Sequence, residues 1–202
     1  MELKRVVVTG LGVISPIGND VETTWNNALK GVSGAGPITH FDASKFKTQF
    51  ACEVKNFNAA EHFDRKKLRQ LDLYAQYALV AAKQAVEDAN LEAESINKDR
   101  VGVIVAAGIG GLHTFEEEAG YYAVHGEEQG PKYNPFFIPK MIADIASGHI
   151  SMQYGFHGPN YGVVSACASS NNAIIDAFNL IRLGKANVMV TGGAEAAVYP
   201  AG

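Results

Sequence analysis

The chain has 202 residues, 47% of them apolar and 19% charged, with a formal net charge of -4. This composition supports a buried core and excludes disorder as the main state. It provides no global basic field for nucleic acid, and the longest near-apolar run, 101–112, is too short and too rich in glycine to cross a membrane.

The start MELKRVVVTG has the charged and apolar parts of a secretory leader. Pro16, Gly18, Asn19 and Asp20 follow without a small-residue cleavage site, so Val6–Val8 reads as a first strand buried on both faces. Asn19 followed by Glu22 predicts a capping box, and the helix through Trp25 and Leu29 stops at Gly31. Residues 32–60 read as loop with short pieces of structure. Leu68, Leu71, Ala75, Ala78, Ala82, Ala85 and Ala89 recur at three- and four-residue spacing, which predicts one long helix with an alanine stripe suited to close packing on a sheet. Val101–Ala107 is the next buried strand, ended by the tight Gly108-Ile109-Gly110-Gly111. Residues 112–135, polar, acidic and aromatic, read as an inserted excursion. A helix with Pro139 near its start carries Met141, Ile142, Ile145 and Met152, a stripe that reads as core packing, and ends before Gly155. Tyr161–Ala166 predicts a strand. Ser169–Leu183 predicts a helix with Ile174, Phe178 and Ile181 on one face and Gly184 as its stop, and Val188–Thr191 a last strand ending at Gly192-Gly193. Strands alternating with helices argue for an α/β protein with a mainly parallel sheet.

The two cysteines, Cys52 and Cys167, lie far apart, with no disulfide framework and no metal-ligand spacing, and fit a reducing, cytoplasmic compartment. In VVSACASSNNAIIDAF, Cys167 falls on a sharp strand-to-helix turn. A helix start directs free N–H groups and the positive end of its dipole at that position, which favours the thiolate, the attacking species. Ala166, Ala168, Ser169 and Ser170 are small and leave room for a substrate at the sulfur. A nucleophile and a buried structural cysteine both fit this pattern. Cys52 has no such setting and reads as core or loop filler. Arg65, Lys66, Lys67 and Arg69 form a basic cluster, either a local dock for an acidic partner or a solvated helix face. Thr9-Gly10-Leu11-Gly12 has the look of a dinucleotide turn in a nucleotide-binding reductase. The fingerprint fails, because Ser15 stands where its third glycine belongs, and Gly108-Ile109-Gly110 fails in the same way with His113.

Five motifs in order, VVVTGLGVISPIG at the start, AAGIGG at 106–111, NPFFIP at 134–139, SACASSNNAI at 165–174 and VTGGAE at 190–195, span essentially the whole chain. Together they resemble the N-terminal half of a β-ketoacyl-[acyl-carrier-protein] synthase of the synthase II type. The resemblance implies a thiolase-like fold of two similar α/β halves, with residues 1–202 as the N-terminal half and the C-terminal half outside the chain. It implies decarboxylative condensation of an acyl group, held as a thioester on Cys167, with malonyl carrier protein, without a bound cofactor or metal. Carried over by position, Cys167 is the nucleophile and one oxyanion donor through its own N–H. Ile109 gates the acyl pocket, and Phe137 is a pocket residue that reaches the partner subunit's acyl chain. Arg65, Lys66, Lys67 and Arg69 are the dock for acyl carrier protein. The resemblance further implies a homodimer that pairs along Tyr161–Ser165. Two catalytic histidines, a lysine and the other oxyanion loop belong to the second half. His40, His62, His113, His125, His149 and His157 match none of those motifs and read as surface or structural. Ser165 departs from the common threonine. A non-catalytic partner subunit, or an inert fragment of a condensing enzyme, stays open beside the catalytic reading, although such partners typically replace the nucleophile.

Overall fold

The computed structural model describes residues 3–202. In chain order its main elements are α1 (Val21–Leu29), β1 (Gly36–Pro37), β2 (Phe50–Ala51), α2 (Arg65–Leu68), α3 (Leu73–Asp88), β3 (Val101–Ala106), α4 (Leu112–Gln129), α5 (Phe137–Met141), α6 (Ile145–Tyr154), β4 (Asn160–Tyr161), α7 (Ser169–Arg182) and β5 (Val188–Gly193). β3 is buried along its whole length, as its β-branched run predicts. It pairs in parallel with β5, from Val101 opposite Val188 to Ala106 opposite Gly193, and with β4, Val103 opposite Asn160 and Ile104 opposite Tyr161. Successive side chains of a strand point to opposite faces. Val101, Val103 and Val105 therefore pack into one core with Tyr74, Leu79 and Val86 of α3 and Ile150 of α6, while Ile104 and Ala106 pack with Ala173 of α7 on the other face. This is the expected α/β arrangement of a parallel sheet between helices. β1 and β2 form a separate antiparallel pair within the loop-rich stretch 32–60.

Several expected elements differ. Val6–Val8 forms no ladder among the described residues, and Val7 and Val8 are 63% and 79% exposed rather than buried. Just beyond, the Leu11 and Val13 N–H groups donate to Asp88 Oδ2 (3.0 Å) and Gln84 Oε1 (3.1 Å), so α3 holds the segment that follows. Gly10 and Gly12 make that fit possible. A Cβ on Gly12 would stand 1.9 Å from the Ala81 carbonyl oxygen, and one on Gly10 2.3 Å from that of Ala85. The cap of α1 is Asp20, not Asn19. Its carboxylate accepts the Thr23 N–H and hydroxyl, both at 2.7 Å, while the Asn19 amide donates to the Lys55 carbonyl.

The single long helix expected from Leu68 to Ala89 is two, because Asp72 restarts it. One carboxylate oxygen of Asp72 accepts the Tyr74 N–H in the first turn of α3. The other accepts both the N–H (3.1 Å) and the hydroxyl (2.6 Å) of Thr114 at the start of α4. Two helix starts thus share one buried anion, which complements the positive end of each dipole. The expected excursion at 112–135 is mostly α4. The helix expected around Pro139 is split into α5 and α6, and Met152 is exposed, not core. β4 stops at Tyr161 because the next ladder donor of β3, the Val105 N–H, is taken by Ser147 Oγ at 2.8 Å. α7 buries Ser169, Ala173 and Ala177, so Ile174 and Phe178 share a face, but it is the exposed one. Small residues win that interface because the helix lies close to β5, where a Cβ on Gly193 would overlap the Ser170 side chain.

Replacing Asp72 by alanine strands buried donors at two helix starts. We expect Asp72→Ala to reduce the unfolding free energy by about 3 kcal/mol, read as a lower urea midpoint at unchanged slope.

Candidate active site

β3 and β5 end level with each other, so their carboxyl ends open on one edge of the sheet, where open parallel sheets bind ligands. The segment after β4 reaches the same edge and turns sharply. Ala166 holds φ +50°, a left-handed value that a residue with a Cβ keeps only where its surroundings enforce it. The enforcing contacts are three. The Ser165 N–H donates to Ser169 Oγ (2.8 Å), the Ser169 hydroxyl donates to the Ala166 carbonyl (2.7 Å), and the Asn172 amide donates to Ser165 Oγ (2.6 Å). Threonine at 165 would offer the same acceptor, so serine there leaves the bonding intact. One turn of 3₁₀ helix, Ala166–Ala168, leads into α7, and Cys167 sits on that turn, exposed. The sulfur is therefore neither sealed in the core nor far from a helix start. Cys52 is exposed as well, not core.

An open cleft of about 390 Å³ faces Cys167. The end of β3 through Ile109 forms one wall, Ser169 and Ser170 a second, and Gly193, Ala194 and Glu195 a third. Glu195 lies within VTGGAE, and nothing in the sequence signals a role for it. Its Oε2 accepts the N–H groups of Gly108 (2.7 Å) and Ile109 (2.9 Å), and its Oε1 that of Gly110 (3.2 Å). Consecutive backbone N–H groups converging on an anion form a nest. Only the register of β3 with β5, which sets Gly193 opposite Ala106, reveals that Glu195 faces this loop.

Ile109 shares the cleft with Cys167 and is 54% exposed. Phe137 does not line it. It stacks with Tyr133 (centroids 5.5 Å apart), in the segment between α4 and α5, and with Phe115 of α4 (6.5 Å). Arg65, Lys66 and Arg69 are exposed on or beside α2, away from the cleft. Lys67 departs from the expected cluster. Its Nζ turns inward to 3.1 Å from His149 Nδ1, and burial holds its pKa below the ordinary lysine value, with Asp64 opposing. His149, buried in α6, is pushed down to about 4, first by burial and then by the Lys67 charge. It is neutral at pH 7 and accepts a proton bond from Lys67, a structural role. Both line a second cleft of about 560 Å³ between α2, α3 and α6. No spacing signal joins these two residues, which lie on different helices.

Residues 3–202 match the family model described as beta-ketoacyl synthase, N-terminal domain. The chain belongs to the β-ketoacyl synthase family. This β-ketoacyl synthase chain is 46% identical over 198 residues to the 3-oxoacyl-[acyl-carrier-protein] synthase 2 of Staphylococcus aureus (strain COL), covering 96% of this chain and 46% of that protein. It is 44% identical over 201 residues to the protein of the same name from Synechocystis sp., covering 99% and 47%. The chain spans about half the length of these curated relatives. Among solved structures, the ishigamide ketosynthase/chain length factor has a TM-score of 0.89 at 30% identity, over 98% of this chain and 49% of that one. A type II polyketide ketosynthase in complex with its acyl-carrier protein gives 0.82 at 25%, over 98% and 52%. The thiolase-like fold is therefore that of this β-ketoacyl synthase chain, and the reductase reading falls. Gly10 and Gly12, which suggested a dinucleotide turn, serve contact with α3.

Two outcomes follow from this geometry. Iodoacetamide is expected to label Cys167 at least about fivefold faster than Cys52 in initial rate, by peptide mapping, because Cys167 alone of the two stands at a helix start. His149 titrates near 4 when folded and near 6.5 when unfolded, so the unfolded chain takes up the proton first as pH falls. Its contribution to stability is complete above pH 6.5 and is lost towards pH 4. His149→Gln is expected to flatten the fall of the unfolding midpoint across that window.

Proposed function

We propose that this chain supplies the nucleophile half of an elongating β-ketoacyl-[acyl-carrier-protein] synthase, residues 1–202 being the N-terminal half of a two-half subunit. The observation that carries the proposal is the exposed Cys167, held by a left-handed Ala166 at the start of α7, where two parallel strands end. In the first stage the Cys167 thiolate attacks the thioester carbonyl of an acyl group on carrier protein. A new sulfur–carbon bond forms, the pantetheine sulfur leaves with the electron pair and takes a proton, and the acyl group stays on the enzyme. The Cys167 N–H is one donor to the oxyanion of that step. In the second stage malonyl carrier protein loses carbon dioxide, its enolate carbon attacks the acyl carbonyl, and the Cys167 thiolate is released. The product is a 3-oxoacyl carrier protein two carbons longer. The family resemblance assigns the histidines and lysine that stabilise the enolate to residues outside this chain. No step requires a bound cofactor.

Ile109, in the cleft with Cys167, is the gate of the acyl pocket. Phe137, set among aromatics away from that cleft, serves the acyl chain of the partner subunit in a cytoplasmic homodimer. Tyr161–Ser165 continues from β4 at the edge of the sheet, where Val164 is exposed, which supports pairing between subunits along this segment. Arg65, Lys66 and Arg69, which have no ion-pair partner among the described residues, are the cations of the dock for acidic acyl carrier protein. Lys67 joins them only as the side chain that ties α2 to α6. A solved relative in complex with its acyl-carrier protein supports such a partner. Retention of Cys167 favours the catalytic reading over a non-catalytic partner subunit.

In the full-length protein, carrier protein loaded with an acyl thioester is expected to acylate Cys167, seen as a mass shift on its peptide. Cys167→Ala removes the shift, and an adduct that survives this substitution defeats the proposal. Lys66→Glu with Arg69→Glu is expected to weaken carrier binding at least about tenfold at low salt. Unchanged affinity there removes the dock.

A further inference from the structure

Glu195 is the acidic group in the wall of the Cys167 cleft, and the loop after β3 turns its backbone donors on it. Three consecutive amides, those of Gly108, Ile109 and Gly110, direct their N–H bonds at the two carboxylate oxygens. Charge-assisted bonds to backbone donors are the stronger kind and fix geometry as well as charge. The middle amide belongs to Ile109, whose side chain stands in the cleft with the sulfur. The fit is close on the glycine beside it, since a Cβ on Gly108 would lie 2.9 Å from Glu195 Oε2. Gly110 holds φ +91°, so the loop curls around the carboxylate in a shape that glycine permits. The alignment of β3 with β5 fixes Glu195, and Glu195 in turn fixes the backbone that carries Ile109.

We infer that Glu195 is a positioning residue for acyl selectivity: by gripping the 108–110 backbone it sets where the Ile109 side chain stands, and so which acyl groups reach Cys167. Glu195 acts through Ile109 and takes no proton from substrate. The inference rests on the acylation of Cys167 proposed above. Glutamine in its place keeps the shape but turns an amide NH₂, a donor, towards donors.

The experiment uses the full-length synthase with wild-type, Glu195→Gln, Glu195→Asp, Ile109→Ala and the Glu195→Gln/Ile109→Ala double variant. Two readouts are taken, amide hydrogen exchange over 107–111 and the ratio of Cys167 acylation rates for a long and a short acyl carrier protein. Glu195→Gln is expected to raise exchange at 108–110 at least about tenfold and to shift the long-to-short ratio at least about fivefold. In the double variant the ratio equals that of Ile109→Ala alone, because the effect passes through one side chain. Glu195→Asp, which keeps the charge but not the reach, gives a smaller shift in the same direction and serves if Glu195→Gln does not fold. An unchanged ratio in either foldable Glu195 variant, or additive effects in the double variant, overturns the inference. Failure of the wild-type protein to acylate Cys167 at all strikes the functional reading instead, and the exchange measurement then still reports whether the grip exists.

Discussion

β3 and β5 share a parallel ladder over six residue pairs and run out at the same level. Everything near Cys167 is placed by that ladder. The loop that follows β3 carries Ile109, and the loop that follows β5 carries Glu195. α7, which follows directly on the turn that bears the sulfur, packs on both strands through its small-residue face. A slip of one residue between β3 and β5 would turn the side chains of the slipped strand to the opposite packed face and separate the carboxylate from its three amides. The buried valines that fix the register are thus as close to the chemistry as the residues lining the cleft.

A second theme is the use of carboxylates as backbone clamps. Asp72 joins the starts of α3 and α4. Glu53, buried, accepts the Thr39 N–H (2.9 Å) and hydroxyl (2.7 Å) and the His40 N–H (3.2 Å), and so secures the loop around residues 39–40. Burial alone would push the Glu53 carboxyl up. The Thr39 and His40 bonds and the His40 charge outweigh it and hold the group below its ordinary value. Glu195 repeats the device at the cleft. In each case the anion meets donors already fixed by the backbone, so few side chains must be ordered to satisfy it.

Period and punctuation in the sequence revealed the α/β class, β3, β5, the span of α7 and the turn that carries Cys167. They did so because these signals are local: a β-branched run, a glycine stop, a cluster of small residues. What escaped is set by partners distant in sequence. Apolar spacing runs unbroken through 68–89, yet the helix breaks at Asp72, because its carboxylate caps α3 through the Tyr74 N–H and holds the start of α4 through Thr114. Tyr161–Ala166 has strand character, yet its ladder ends where Ser147 intervenes. Lys67 reads as one of four equivalent cations until His149 is found beside it. Ile174 and Phe178 have the spacing of a core face and lie on the opposite one, since closeness to the sheet selects alanine. In the cleft, Cys167 and Ile109 were legible through motifs, whereas Glu195 needed the sheet register.

The left-handed turn at Ala166 bears on how freely the sulfur of Cys167 can move. A chain bent this way has few allowed conformations nearby, and Ser169 and Asn172 brace it from the adjoining helix. Under the proposed function, Cys167 is aimed before any acyl group arrives. Little reorganisation is then left for the moment of attack, so the entropy of alignment is met once, during folding.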